Sequence, residues 1–353
     1  MTACVDAAGT AASARGFADV SVIMKPENTI RQCGTPLREF DINLTSVETV
    51  LRRSPLVALG EYRCPVDHPQ FSGGGPQRCP FVVFPRSSVR LTRLGDRPLV
   101  YTPNTVSLHN IGDVYCREPV SSEGERCDWI AIAPELLREI SALDGLDESD
   151  DDRIFSASIA PSTPGLYAAQ RALFRALRVD PHLSLLEVEE SAIAIVEAVC
   201  RTAARSAGSV RRRHRHPERR FAGRAPAIVD ATLKLLAIEF RSTLGIDDVC
   251  ARVHCSPGYL SRLFRRSTGF TLHDYQQQLR LRAALELLPD ARYGLAELAM
   301  YLGFANHSHF SSAFRREFGM TPTQFGRDPS LALDRMLRPE QAAVGRFDEF
   351  APD

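Results

Sequence analysis

The sequence predicts an α+β chain of two domains: an N-terminal small β-barrel or sandwich with helices, then a C-terminal all-α domain holding two helix-turn-helix units. Three observations predict it. Short apolar runs punctuated by Pro and Gly fill residues 56–133, the rhythm of short strands. Helical patterns follow over Pro134–Ile140, Gly165–Arg178 and Leu183–Arg205. Finally, Tyr259-Leu260-Ser261-Arg262-Leu263-Phe264-Arg265-Arg266 returns 50 residues later as His309-Phe310-Ser311-Ser312-Ala313-Phe314-Arg315-Arg316, with Gly269 and Gly319 closing the two copies.

Taken in order, residues 1–45 are rich in Ala, Ser, Gly and Thr with scattered apolar positions, and read as a weakly structured segment. Strands are expected at Leu56–Leu59, Phe81–Phe84, Val89–Leu94, Leu99–Tyr101, Val106–Leu108 and Trp129–Ile132, within a domain spanning 46–206. Residues 207–225 contain Arg211-Arg212-Arg213-His214-Arg215-His216-Pro217-Glu218-Arg219-Arg220, a dense like-charge run that cannot bury itself and reads as a basic linker. Residues 226–327 form the helical domain, and 328–353 read as a tail.

Within 226–327 the same plan is drawn twice. An amphipathic stretch, Ile246–Val253, precedes a break at His254-Cys255 and then Ser256-Pro257, a hydroxyl suited to cap a helix and a proline suited to its first turn. The second copy has Leu295–Leu302, then Gly303-Phe304-Ala305 and a capping Asn306. Gly303 can take the positive φ of a sharp inter-helix turn, and Ala299 is small enough for two helices to cross closely. Leu260/Phe264 and Phe310/Phe314 lie four apart and share a buried helical face, while the arginine pairs point elsewhere. Pro257–Arg266 and His307–Phe318 are therefore the helices expected to enter a groove. Between the units, Thr271–Leu288 predicts a connecting helix with Leu272, Tyr275, Leu279, Ala283 and Leu287 in the core. At 1.5 Å per residue it is about 26 Å long, enough to hold two units roughly one turn of B-DNA apart.

Charge agrees with that plan. Lys+Arg and Asp+Glu each number 43 over the chain, yet residues 1–210 carry 21 basic against 27 acidic side chains and residues 211–327 carry 19 against 10. A neutral chain thus contains a basic module, the electrostatic footprint of a polyanion binder.

These residues resemble the C-terminal DNA-binding domain of AraC-type (AraC/XylS family) transcriptional regulators. The resemblance is carried by Ser256-Pro257-Gly258-Tyr259-Leu260-Ser261-Arg262-Leu263-Phe264, Gly269-Phe270-Thr271, Arg280-Leu281-Arg282-Ala283-Ala284 with Leu287-Leu288, Leu298-Ala299, Gly303-Phe304, Ser308-His309-Phe310, Phe314, Phe318-Gly319 and Thr321-Pro322. It implies base-facing positions at Gly258, Ser261 and Arg262 in the first unit and at His307, Ser308, Ser311 and Ser312 in the second. Arg265, Arg266, Arg315 and Arg316 are candidates for phosphate contacts. Arg262 suits bidentate pairing with guanine or, equally, a phosphate clamp. Three departures from the pattern stand out: Cys250 where a small Ala is usual, His254 in place of a turn glycine, and Ser312 in place of a common Arg.

The strand region, with Pro85, Arg86, Asn104, Asn110-Ile111-Gly112 and Tyr115, resembles the cupin-like sensing and dimerisation domain found ahead of such DNA-binding domains. The resemblance implies a transcriptional regulator, not an enzyme, whose partners are double-stranded promoter DNA, RNA polymerase, an unidentified small-molecule effector and a second copy of itself. With neither a basic-then-apolar leader nor an 18-residue apolar run, a cytoplasmic location and no membrane partner are expected. Cys64, His68, Cys79, Cys116 and Cys127 lack a compact zinc-ligand spacing, so neither metal nor cofactor is expected. The rival readings are a constitutive dimeric DNA binder and a metal or redox sensor using those Cys and His side chains. A fused alkylation-repair enzyme would need a Pro-Cys-His-Arg tetrapeptide, which the sequence lacks.

Overall fold

The computed structural model describes residues 46–143, 153–213, 224–290 and 293–337. The segment 1–45, most of the basic run and the end of the tail lie outside the described residues.

Among the described residues, ten strands form two antiparallel sheets. The larger runs β1(Glu48–Arg53)–β2(Val57–Cys64)–β9(Glu125–Ile132)–β4(Phe81–Pro85)–β7(Thr105–His109)–β10(Ile159–Pro161). The smaller runs β3(Gly73–Gly74)–β8(Tyr115–Pro119)–β5(Val89–Arg93)–β6(Leu99–Tyr101). The sheets face each other across a shared apolar core, as in a sandwich, and their strand pairings do not themselves close a barrel.

Alternation explains why the strand signal in the sequence is apolar runs rather than an in-out pattern. Tyr62, Val83, Cys127 and Trp129 face the small sheet, whereas Val57, Leu59, Val82, Phe84, Ile130 and Ile132 face helices on the other side. A sheet buried on both faces has no polar positions to alternate with. Those helices are α1(Pro134–Leu143), α2(Pro164–Val179) and α3(Leu185–Arg213). Gly60 is fixed by packing, since a Cβ there would lie 2.2 Å from the indole of Trp129.

The space between the sheets is filled by side chains. Arg117 stacks over the Tyr62 and Tyr115 rings, 4.5 and 5.3 Å from their centroids, and pairs with Glu125 at 3.0 Å. Arg93 donates to Tyr101, Ser158 and Leu108. His109 is buried, stacks on Phe81 with centroids 4.5 Å apart, and shares a 2.8 Å hydrogen bond between Nε2 and Ser107 Oγ. Its Nδ1 has no partner among the described residues. Burial, then the charges of Arg93 and Arg117, hold its pKa well below the ordinary 6.5, so the ring is neutral.

The C-terminal domain contains α4(Ala225–Glu239), α5(Ile246–Val253), α6(Pro257–Thr268), α7(Leu272–Leu287), α8(Leu295–Tyr301), α9(His307–Phe318), α10(Pro322–Arg327) and α11(Ser330–Leu337). Two boundaries differ from expectation. Helix α3 continues to Arg213, taking in the first part of the expected linker. Ser330–Leu337, read as tail, is a helix whose Ala332 is buried against the second unit and whose Leu333 packs against the cores of both domains. At eight residues the segment is too short for a helical period to stand out in the sequence.

Candidate nucleic-acid interface

The two helix-turn-helix units are α5–α6 and α8–α9. In the first, Val249, Cys250, Val253, Leu260 and Leu263 pack with Ile228 of α4, and Phe264 packs with Leu236, Tyr275 and Leu279. In the second, Leu298, Ala299, Leu302, Phe304, Phe310, Ala313 and Phe314 form the core. Cys250 sits within that first core, where its thiol behaves as a small apolar group.

The turns show how different residues meet one backbone demand. Gly303 turns the second unit with φ +83°, and a Cβ there would lie 2.1 Å from the Arg241 carbonyl oxygen. His254 takes the same left-handed region with φ +53°, ψ +53°, so the departure from glycine keeps the turn at the cost of strain. The caps are mixed. Asn306 Oδ1 accepts from His309 N at 2.8 Å and Thr271 Oγ1 from Asp274 N at 3.1 Å, as expected. Ser256 occupies the cap position in extended geometry, but its hydroxyl makes no capping bond.

The core side of α6 and of α9 is buried and the other side is exposed. Gly258, Ser261, Arg262, Arg265 and Arg266 are exposed on α6, as are His307, Ser308, Ser312, Arg315 and Arg316 on α9. Ser311 is half-buried and lies 3.3 Å from His307 Nε2. Ser261, Arg262 and Arg265 also border a cleft of about 400 Å³ with Leu244, Ile246 and Leu272.

Sequence reasoning missed a second polar surface, the junction between the domains. Helix α7 is buried nearly all round because the N-terminal domain grips one stripe of it, at Tyr275, Arg282 and Glu286. The Tyr275 hydroxyl lies 2.6 Å from Thr102 Oγ1, and its carbonyl accepts from Asn104 Nδ2 at 3.2 Å. Arg282, 1% exposed, donates to the Pro103 carbonyl at 2.9 Å, to Asn104 Oδ1 at 2.5 Å and to the Ser162 carbonyl. Glu286 Oε2 accepts from Arg86 Nη2 at 2.5 Å and Arg171 Nη2 at 3.2 Å, and both arginines also pair with Asp128. Arg171 Nε approaches Glu286 Oε1 at 2.6 Å without the alignment of a hydrogen bond. Although burial opposes their charge, Glu286 and Asp128 hold the Arg86 and Arg171 guanidiniums above their usual pKa. The second unit goes further and shares its apolar core with Tyr167, Ala168 and Ala172 of α2. The spacing i, i+7, i+11 of Tyr275, Arg282 and Glu286 was the available signal, since two charged residues continue the face of a core tyrosine.

Two of the candidate thiols, Cys116 and Cys127, are disfavoured as thiolates. Burial, with Glu125 and Asp128 nearby, pushes the Cys127 thiol well above its usual pKa, and burial with Glu118 raises Cys116. Among the described residues, no three His, Cys, Asp or Glu side chains converge as a metal centre requires, and no helix is long and apolar enough to cross a membrane.

Comparison with known proteins adds to this geometry. Residues 249–328 match the protein family described as "Helix-turn-helix domain". The Msm operon regulatory protein of Streptococcus mutans is 29% identical over 102 residues, which are 29% of this chain and 37% of that protein. The HTH-type transcriptional activator RhaR of Salmonella dublin is 35% identical over 98 residues, 28% of this chain and 35% of that protein. The chain thus spans little more than a third of the length of these curated relatives. Among solved structures, a regulator with an AraC-type DNA-binding domain from Chromobacterium violaceum is 26% identical, covering 30% of this chain and 95% of its own, with a TM-score of 0.29. ToxT from Vibrio cholerae is 12% identical over 77% of this chain and 98% of its own, with a TM-score of 0.30.

Proposed function

We propose that this chain is, through its C-terminal domain, a transcriptional regulator of the AraC/XylS family, that it binds promoter DNA in a sequence-specific manner and that it is controlled through its N-terminal domain. The observation that carries the reading is the paired exposure of α6 and α9, each burying a Leu/Phe or Phe/Phe face while offering polar and arginine side chains to solvent. Arg262 and its neighbours Gly258 and Ser261 read bases in one half-site, and the short side chains of His307, Ser308, Ser311 and Ser312 read the other less strongly. Arg265, Arg266, Arg315 and Arg316 bind phosphates and fix the register. An activating role, contact with RNA polymerase and dimerisation complete the reading, the first of these supported by likeness to an activator.

Control acts on α7. The N-terminal domain holds the helix that joins the two units at three polar points, two of them buried, so any change at the junction alters how α6 and α9 are presented together. The filled space between the sheets favours the junction over the sandwich interior as the place where control enters.

Selection of the full chain on random duplexes tests this. The expected product is a bipartite site with half-sites one helical turn, about 10 bp, apart. Affinity should fall steeply with salt, by about 0.9 in log K per log salt for each phosphate neutralised. Arg262→Ala should cost about 1–3 kcal/mol at one half-site and relax its base preference, with Ser312→Ala costing less. Equal losses on every sequence would make Arg262 a phosphate contact, and failure to enrich any sequence would overturn the reading.

A further inference from the structure

At the domain junction the charges do not balance. Arg86, Arg171, Arg175 and Arg178 converge on a pocket of about 80 Å³ whose wall includes Glu286 and Pro289. Helix α2 places three of them at i, i+4 and i+7, hence on one face. The carboxylates that the N-terminal domain sets against them, among the described residues, are Glu61 and Asp128. Glu286, from the other domain, adds a third. Four guanidiniums therefore face three carboxylates, and with Glu286 withdrawn they would face two. Arg175 shows the shortfall directly, because it donates to the Pro289 carbonyl at 3.2 Å and has no carboxylate partner among the described residues.

We propose that this pocket binds a compact dianion, such as the head of a phosphate monoester or a dicarboxylate, which replaces Glu286 on Arg86 and Arg171 and also engages Arg175 and Arg178. Two negative charges are what the N-terminal side lacks once Glu286 leaves. Guanidinium forks match the paired oxygens of both anion types, and such charge-assisted bonds are the strong ones. The size agrees: a pocket of about 80 Å³ suits a compact oxyanion group and lies far below the space a drug-sized ligand fills. Losing Glu286 from the arginines would free the C-terminal end of α7 while Tyr275 and Arg282 remain held. This consequence for DNA rests on the regulatory reading above, whereas binding of the anion does not.

The test is calorimetric titration of the full chain with inorganic phosphate and with malonate, against sodium chloride at matched ionic strength. Saturable binding of one dianion per chain is expected. Phosphate alone or malonate alone would each support the site and assign its chemistry. Arg175→Gln should weaken binding about tenfold or more. Glu286→Gln, which removes the internal competitor, should tighten it. Circular dichroism checks each variant, and Arg178→Gln replaces Arg175→Gln if the latter unfolds. Absence of saturable binding would overturn the proposal, and binding indifferent to the arginine substitution would overturn it by showing an adventitious ion only. In parallel, fluorescence anisotropy on the selected duplex should show DNA affinity shifting as the dianion saturates, and an unchanged affinity overturns the exchange with Glu286. A chain that binds the dianion but no DNA sinks the regulatory reading and leaves the site standing.

Discussion

Replacing Arg282 with Met removes the donors that tie the two domains together while keeping most of the side chain's volume. Arg282 is fully buried and its hydrogen-bond acceptors, the Pro103 carbonyl, Asn104 Oδ1 and the Ser162 carbonyl, all belong to the N-terminal domain. Burial lowers its pKa, Glu317 partly offsetting this, so the charged group stands in a costly environment that its acceptors must compensate. Stranding a buried acceptor costs about 1–3 kcal/mol. Removing the buried charge returns part of that, leaving a net loss of about 2–4 kcal/mol for Arg282→Met. The chain has one tryptophan, Trp129, which lies in the N-terminal domain and reports its unfolding, while far-ultraviolet circular dichroism reports mainly the helices. Urea denaturation of the wild type should give coincident transitions by the two probes, and Arg282→Met should separate them. A double-mutant cycle with Asn104→Ala should return a coupling of about 1–3 kcal/mol. A coupling below about 0.5 kcal/mol with transitions still coincident would refute the claim that Arg282 joins the domains.

Three further outcomes are expected. His109 has its folded-state pKa well below the unfolded value near 6.5, so the stability it allows is complete above that value and is lost as pH falls through it, by up to about 1.4 kcal/mol per pH unit; His109→Gln should flatten the acid limb of a urea-midpoint profile followed by Trp129 fluorescence. His254→Gly should raise stability by about 0.5–1 kcal/mol, because relief of a left-handed backbone costing about 1–2 kcal/mol exceeds the added chain entropy of glycine; a lower urea midpoint would contradict the strain. Gly303→Ala should lose about 3 kcal/mol or more from its φ of +83° and the Arg241 carbonyl in its way, and a near-neutral value by the same assay would show that the turn can relax.

What could be read from the sequence was whatever depends on neighbours along the chain. The Leu260/Phe264 and Phe310/Phe314 faces, the glycine turn at 303 and the caps at Thr271 and Asn306 are local devices, and each stands where spacing put it. The strands were found as apolar runs, but their arrangement in two sheets depends on pairings such as Val57 with Ile132, 75 positions apart. The junction was hidden for the same reason. Arg282 and Glu286 look like solvated helix charges until Asn104, Ser162, Arg86 and Arg171, all at least a hundred positions away, are brought against them. The C-terminal helix α11 was missed because its stability comes from α2 and the second unit rather than from its own pattern.

The two units are supported unequally, and this bears on how a signal can reach DNA. The first unit closes its core within the C-terminal domain, using Ile228, Leu236, Tyr275 and Leu279. The second borrows Tyr167, Ala168 and Ala172 from α2, the same helix that carries Arg171, Arg175 and Arg178. Displacement of α2 would therefore move the second unit with it, whereas the first follows only through α7. Bound to adjacent half-sites, the two reading helices must hold a fixed separation of about one turn of the duplex. A small shift of α2 changes that separation without unfolding either unit, so control at the junction should appear as altered preference for half-site spacing. Selection on duplexes whose half-sites are spaced one base pair apart in series would show a shifted optimum in Arg282→Met, and an optimum identical to wild type would mean that the N-terminal domain does not set the geometry of reading.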